Sequence, residues 1–377
     1  MKIMLYAIPV FFLLIGLELL FARLGRTRLY RLPDAVSNIS CGIVQQVGGV
    51  FLKTAVFGLY WWVYEQWRLM DAPDTWWSWI LLFVAVDFCY YWFHRCAHEI
   101  SLLWGTHVVH HQSEDYNLSV ALRQSLLQPV FSTFFYLPLA LLGFSPAVFL
   151  VVSTWQTLYQ FWIHTRLIDK MPAWFEWIFN TPSHHRVHHG VNPRYIDKNH
   201  GGTLIVFDRL FGTFQAEDEP VVYGVTDPLE SWNPLWANMD YYARFWRDWA
   251  RVPGWSNKAA MLFRKPGWRP AVPGHAPAFR EVVPESRVKF DTEPGPFVNG
   301  YVLGQFVLLL LATSWWLDSI GQGLGSGEQL RDRLAVAFFI VVGTAGLGGL
   351  LERRRWAPFV EILRFGVLGG VVLCRIY

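Results

Sequence analysis

Apolar residues in this chain come in long uninterrupted blocks separated by charged or Pro- and Gly-rich links. A helix that crosses a bilayer needs about 20 mostly apolar residues. Segments 4–22, 39–64 and 76–93 reach or approach that length. A longer apolar region, 126–163, is divided by Gly143-Phe144-Ser145-Pro146, a turn signal that predicts a pair of antiparallel helices. Segments 297–317, 334–351 and 356–374 follow, the last weakened by Glu361 and Arg364 inside it. Between them, about 165–296 is rich in Pro, Arg and Trp and is predicted not to span. Segment 4–22 is too long for a signal-peptide core, and Phe21-Ala22-Arg23-Leu24 offers no small-x-small cleavage site, so a retained helix is expected.

Arginines orient the spans. Arg23, Arg26, Arg28 and Arg31 follow the first block, and Arg353, Arg354 and Arg355 lie between the last two. The link after the second block has Arg68 beside Glu65, Asp71 and Asp74, and the Gly143 turn is uncharged. Alternating sides puts the Arg-rich links and residues 165–296 on one face, predicted to be cytosolic. Three parts are expected: N-terminal transmembrane helices (1–75), a catalytic domain with its cytosolic cap (76–296) and C-terminal transmembrane helices (297–377).

Composition agrees with a membrane: 53% of residues are hydrophobic and only 16% charged, against roughly a quarter charged in ordinary soluble domains. The net charge of +3 is too small to argue for a nucleic-acid partner. Cys41, Cys89, Cys96 and Cys374 form no CxxC pair and no haem-attachment motif, so no disulfide framework is expected. No feature of the sequence specifies an oligomeric state.

The chemistry lies in the histidines, eleven of twelve falling between positions 94 and 200. His94 and His98 are spaced i, i+4 at the end of an apolar helical run, on the same face as Asp87 and Tyr91. Asp87 suits either an acceptor for an imidazole N–H or a polar packing contact. His107-Val-Val-His110-His111 and His185-Arg-Val-His188-His189 both read HxxHH, and on a helix their three nitrogens are expected to converge. His164 stands alone at the end of the predicted hairpin. Single histidines are usually ordinary core or surface residues, but three clusters of this form point to metal, since crowded imidazoles repel when protonated and imidazole is the commonest metal ligand.

A catalytic zinc needs three protein ligands, and nine clustered imidazoles suit two ions. The zinc-protease HExxH is absent, because Leu102 occupies its second histidine position. The Glu-x-x-His di-iron pattern is absent too, and haem would use only one or two ligands. Two non-haem irons that activate molecular oxygen fit best. Zinc is expected to substitute in a purified sample, since affinity and availability favour it.

HxxxH, HxxHH, a lone histidine and HxxHH on a multi-helix membrane protein resemble the fatty acid hydroxylase/sterol desaturase superfamily. The runs Asp87 to Gln128, Asn180 to Phe214 and Phe161-Trp162-Ile163-His164-Thr165 are similar to its alkylglycerol monooxygenase branch. The resemblance covers about residues 35–215. It implies metal ligation by His94, His98, His107, His110, His111, His164, His185, His188 and His189. It also implies a catalytic part for Glu99, otherwise a solvated helix-end carboxylate, and tetrahydrobiopterin or another reductant as electron donor. His200 is expected not to ligate, His184 to face away from the metals, and His275 to lie at the surface.

The expectation is therefore an all-α, multi-pass transmembrane bundle with a cytosolic histidine-rich di-metal cap, embedded in a bacterial cytoplasmic membrane, or in the endoplasmic reticulum of a eukaryote. A lipid would enter from the bilayer, with hairpin 126–163 as tunnel wall, and be hydroxylated, for an alkylglycerol at the ether-linked carbon with release of a fatty aldehyde. The alternatives are a hydroxylase or desaturase of sterols, fatty acids or carotenoids, and a zinc-binding or transport protein without redox chemistry. Transport would need ionisable residues along the spans, whereas these clusters sit at helix ends.

Overall fold

The computed structural model describes residues 2–270, 287–323 and 327–376. Among them the regular structure is helical, with two isolated bridges, Phe179 to Leu204 and Gly190 to Tyr223, and no strand. The N-terminal helices are α1 (Lys2–Leu24), α2 (Leu32–Gly48) and α3 (Val50–Trp67), followed by α4 (Trp76–Glu99) and α5 (Ser101–His111). The hairpin is α6 (Gln128–Leu141) and α7 (Pro146–Trp162). The cap adds α8 (Ala173–Ile178), α9 (Pro182–His188), α10 (Val206–Leu210), α11 (Pro234–Arg251) and α12 (Trp255–Phe263). The chain continues with α13 (Pro296–Gly321), α14 (Gly327–Leu351) and α15 (Ala357–Ile376).

Four helices, α1, α4, α13 and α14, are long and apolar enough to cross a membrane, and α2 with α3 makes a fifth candidate. The protein is an integral membrane protein. Two helix groups meet at the cap. In one, Tyr60, Leu82, Val86, Leu139 and Val152 bury a core between α3, α4, α6 and α7. In the other, Ile39, Ile43, Phe306, Leu309, Ile340 and Leu347 join α2 to α13 and α14. Phe11 of α1 stacks on Phe161 of α7 at 4.2 Å.

Two spans depart from expectation. Segment 39–64 is not one straight helix: α2 starts at Leu32, and α3 leaves it at 59° after Gly49. Asp34, Ser37 and Asn38 are buried in α2 and need polar partners. The Ser113 hydroxyl donates to Asp34, and Arg123 donates to Ser37 Oγ and Asn38 Oδ1. A Cβ on Gly42 would stand 2.4 Å from the Leu122 carbonyl, so α2 is pressed against that segment. The bend then frees α3 to join the other group. Helix α15 exists but falls outside the span criterion. Glu361 and Arg364 within it turn inward: Arg364 donates to Glu361 and to Gln305 of α13.

The hairpin turns where expected, at Gly143, whose φ of +85° suits glycine. Its tip is tied to the α3–α4 link by Leu69 N–H to Leu141 O and Ala72 N–H to Gly143 O. With 14 and 17 residues, α6 and α7 rise about 21–25 Å, less than a hydrocarbon core of about 30 Å.

Candidate metal centre

Each histidine cluster is delivered by a helix end. Helix α4 carries His94 and His98 on its last turns, and a break at Ile100 turns the chain into α5 with His107, His110 and His111. His164 lies two residues beyond α7. Pro182 opens α9, which carries His185 and His188, with His189 at its C-cap. All nine are buried.

They form two adjoining groups, His94, His98, His107, His111 and His188, and His110, His164, His185 and His189, whose ligand atoms lie within 4.8 Å of one another. The HxxHH motifs therefore do not each converge on one point as expected. In both, the first and third histidines share a group and the middle one joins the other. Positions i and i+4 differ by about 40° around a helix, whereas adjacent residues differ by about 100°, so neighbouring histidines are sent to different centres.

The donor set fits metal ions. Five rings present Nδ1 to a carbonyl oxygen: His94 to His200 O (2.7 Å), His107 to Gln128 Oε1 (3.0 Å), His110 to Arg123 O (2.9 Å), His164 to Gln160 O (2.8 Å) and His188 to Lys198 O (2.9 Å). A carbonyl only accepts, so the proton sits on Nδ1 and Nε2 keeps its lone pair. Those lone pairs face each other: Nε2 of His107 lies 2.8 Å from that of His94 and 3.1 Å from that of His111. In the second group, Nε2 of His164 lies 3.2 Å from that of His110 and 3.0 Å from that of His185. Nε2 of His98, His188 and His189 has no hydrogen-bond partner. Protons do not resolve the crowding, because burial pushes His107 and His164 down to about 4. His110, His111, His185, His188 and His189 are likewise held well below the ordinary imidazole value by burial and by neighbouring histidines. Shared cations would satisfy these nitrogens.

The other candidates fall elsewhere. His200 belongs to neither group; its buried ring lies 5.1 Å from that of His98 and both its nitrogens lack partners. His184 is also outside both groups, with its ring against Phe214 at 5.4 Å. His275 lies outside the described residues. Glu99 pairs with Arg95 at 3.3 Å and lines a cavity of about 970 Å³, which reaches His98, His111, His188 and His189.

Asp87 neither accepts from an imidazole nor makes a mere packing contact. Its carboxylate takes the backbone N–H groups of Thr203 and Leu204, both at 2.8 Å. Asp208, not singled out in the sequence, accepts the N–H groups of His200 and Gly201 and the Thr213 hydroxyl, each at 2.7 Å. Burial pushes its carboxyl up to about 6 against the pull of these donors. The two carboxylates thus hold the loop whose Lys198 and His200 carbonyls orient His188 and His94. The one sequence signal for this loop was Gly201-Gly202: a Cβ on Gly202 would stand 2.8 Å from Asp87 Oδ1.

Buried imidazoles in two groups at helix ends, one of them the end of the candidate span α4, make a candidate metal centre in a membrane protein. The fatty acid hydroxylase family model matches residues 79–213, which include all nine histidines. The chain is 40% identical to alkylglycerol monooxygenase of Homo sapiens over 89% of its own length and 74% of that protein. It is 41% identical to alkylglycerol monooxygenase of Xenopus tropicalis, covering 94% and 78%. A shorter match, 30% identical over 39% of the chain and 46% of the relative, is to ornithine lipid hydroxylase OlsE of Rhizobium tropici. No solved structure matches. The chain belongs to the fatty acid hydroxylase family and is a lipid-hydroxylating membrane monooxygenase.

Proposed function

We propose that this protein cleaves alkyl ether lipids, hydroxylating the carbon next to the ether oxygen with two irons held by the nine histidines. Similarity to alkylglycerol monooxygenases over most of the chain supports the substrate. The observation that carries the metal reading is the pair of histidine groups whose Nε2 lone pairs face inward.

The irons, when bound, supply the oxidant from molecular oxygen and two electrons. The balance is one ether lipid, O₂, two electrons and two protons giving a hemiacetal and water. The hemiacetal then collapses to a fatty aldehyde and a glycerol. The ether oxygen stabilises electron deficiency at the neighbouring carbon, which makes that C–H bond the easier one to break. Carbonyls from Gln128, Arg123, Gln160, Lys198 and His200 hold the imidazoles in orientation. A reductant such as reduced pterin approaches through the 970 Å³ cavity, which Glu99, Arg95 and His98 all line. Residues 1–75 and 297–377 anchor the catalytic part, 76–296, which faces the cytosol by the arginine distribution.

Purified protein given iron, reduced pterin, oxygen and a 1-O-alkylglycerol is expected to release an aldehyde with the full alkyl chain. A stable hydroxy-lipid would indicate another hydroxylase of the family. Intact ethers alongside an oxidised sterol, fatty acid or carotenoid would overturn the substrate assignment.

A further inference from the structure

Most polar residues of hairpin α6–α7 fall on two stripes that face each other. Every polar residue of α6 — Gln128, Ser132, Thr133 and Tyr136 — lines a cleft of about 240 Å³. Ser153, Gln156, Thr157 and Gln160 of α7 line it from the opposite side, at helical spacing, and Tyr90 of α4 closes it. Thr154 and Tyr159 of α7 are turned elsewhere, bonded to Leu150 O and Asn180 O. Polar side chains on the inward faces of an otherwise apolar hairpin are costly unless they serve packing or a ligand.

Packing accounts for only part of this polarity. Ser132 and Thr133 bond back to Pro129 O, Ser153 to Phe149 O and Thr157 to Ser153 O, and each keeps its acceptor lone pairs. The amide N–H of Gln156 donates to Phe83 O and that of Gln160 to Gln156 O, which leaves both side-chain carbonyls open. Among the described residues, the hydroxyls of Tyr90 and Tyr136 have no hydrogen-bond partner. The cleft thus offers donors and acceptors together. One end of it backs onto a histidine of each group: Gln128 accepts from His107 Nδ1, and the Gln160 backbone carbonyl from His164 Nδ1.

We propose that this cleft binds the hydroxylated end of the substrate lipid, with Tyr90, Tyr136, Gln156 and Gln160 as the residues that read its hydroxyls. The inference rests on the ether-lipid reading above. Lipid hydroxyls donate to Gln156 and Gln160 and accept from Tyr90 and Tyr136. The reacting carbon, one bond from the ether oxygen, then lies toward the Gln128–Gln160 end of the cleft, the end that contacts His107 and His164. The cleft is smaller than the roughly 300–1,000 Å³ of cavities that enclose whole drug-sized ligands, so it takes the polar end and leaves the chain outside. A plain hydrocarbon gains nothing from these groups.

The test pairs two substrates with conservative variants of the full-length, metal-loaded protein. A 1-O-alkylglycerol is compared with the alkyl propyl ether of equal chain length, which lacks both hydroxyls. Tyr90→Phe and Tyr136→Phe are each expected to raise KM for the alkylglycerol about 5- to 10-fold, the worth of one hydrogen bond, with kcat nearly unchanged. KM for the propyl ether and the metal content should stay as in the wild type. Equal losses on both substrates, or no loss on either, would overturn the cleft assignment. If the wild type leaves both ethers intact, the ether-lipid reading fails instead. Anaerobic equilibrium binding of the same two compounds then judges the cleft alone: a wild-type preference for the diol that Tyr136→Phe abolishes upholds it, and no preference overturns it.

Discussion

Replacing Asp208 by Asn should strip metal from one histidine group and spare the other. Asp208 accepts three hydrogen bonds at 2.7 Å, two from the backbone of the loop that carries Lys198 O and His200 O. Bonds to a charged acceptor are worth about 1.5–3 kcal/mol each, and the amide keeps shape but replaces one acceptor oxygen by a donor. The loop would loosen, and with it the carbonyls that hold His188 and His94, both members of the five-histidine group. Loss of an orienting partner typically costs 10- to 100-fold in metal affinity, so two losses imply about 10²- to 10⁴-fold at that group. The four-histidine group keeps its own partners, Arg123 O for His110 and Gln160 O for His164. Metal per chain, measured after dialysis against graded chelator, should fall from two to about one at concentrations the wild type withstands. Asp87→Asn, at the other end of the loop, should act in the same direction. Unchanged chelator resistance, or equal loss from both groups in folded protein, would refute the reasoning.

Three further outcomes follow from the same geometry. His107→Ala and His110→Ala should each abolish turnover and leave about one metal per chain, since the residues belong to different groups; metal analysis checks this, and loss of both ions in either variant would contradict the division. Gly202→Ala places a methyl group 2.8 Å from both Asp87 Oδ1 and the Tyr90 ring and should destabilise by about 1–3 kcal/mol, read as a lowered thermal midpoint. Cysteine-reactive labels at introduced cysteines should reach Arg28 and Arg354 from the cytosolic side and Asp71 from the other; the reverse would invert the arginine-based orientation.

Side-chain identity made part of this protein legible in advance. The blocks 4–22 and 76–93 are the helices α1 and α4, and the Gly143 turn divides the hairpin where the sequence places it. The nine histidines come together because their helix ends do, and spacing i, i+4 anticipated that His94 and His98 act on one side. Each HxxHH divides between two groups, against the expected convergence, because i+3 and i+4 are not equivalent: a helix separates them by about 100°. The bend at Gly49 was hidden for a different reason. Hydropathy averages along the chain, while the polar residues of α2 answer to Ser113 and Arg123, more than 70 positions away. The hydrogen bonds that orient the metal site were the least visible, because four of the five acceptors are backbone carbonyls. Every residue carries such a carbonyl, so no side-chain pattern marks the ones that matter. Only where backbone and carboxylate approach too closely for a Cβ does the chemistry return to the sequence, and there it is written as Gly201-Gly202, directly after a histidine that belongs to neither group.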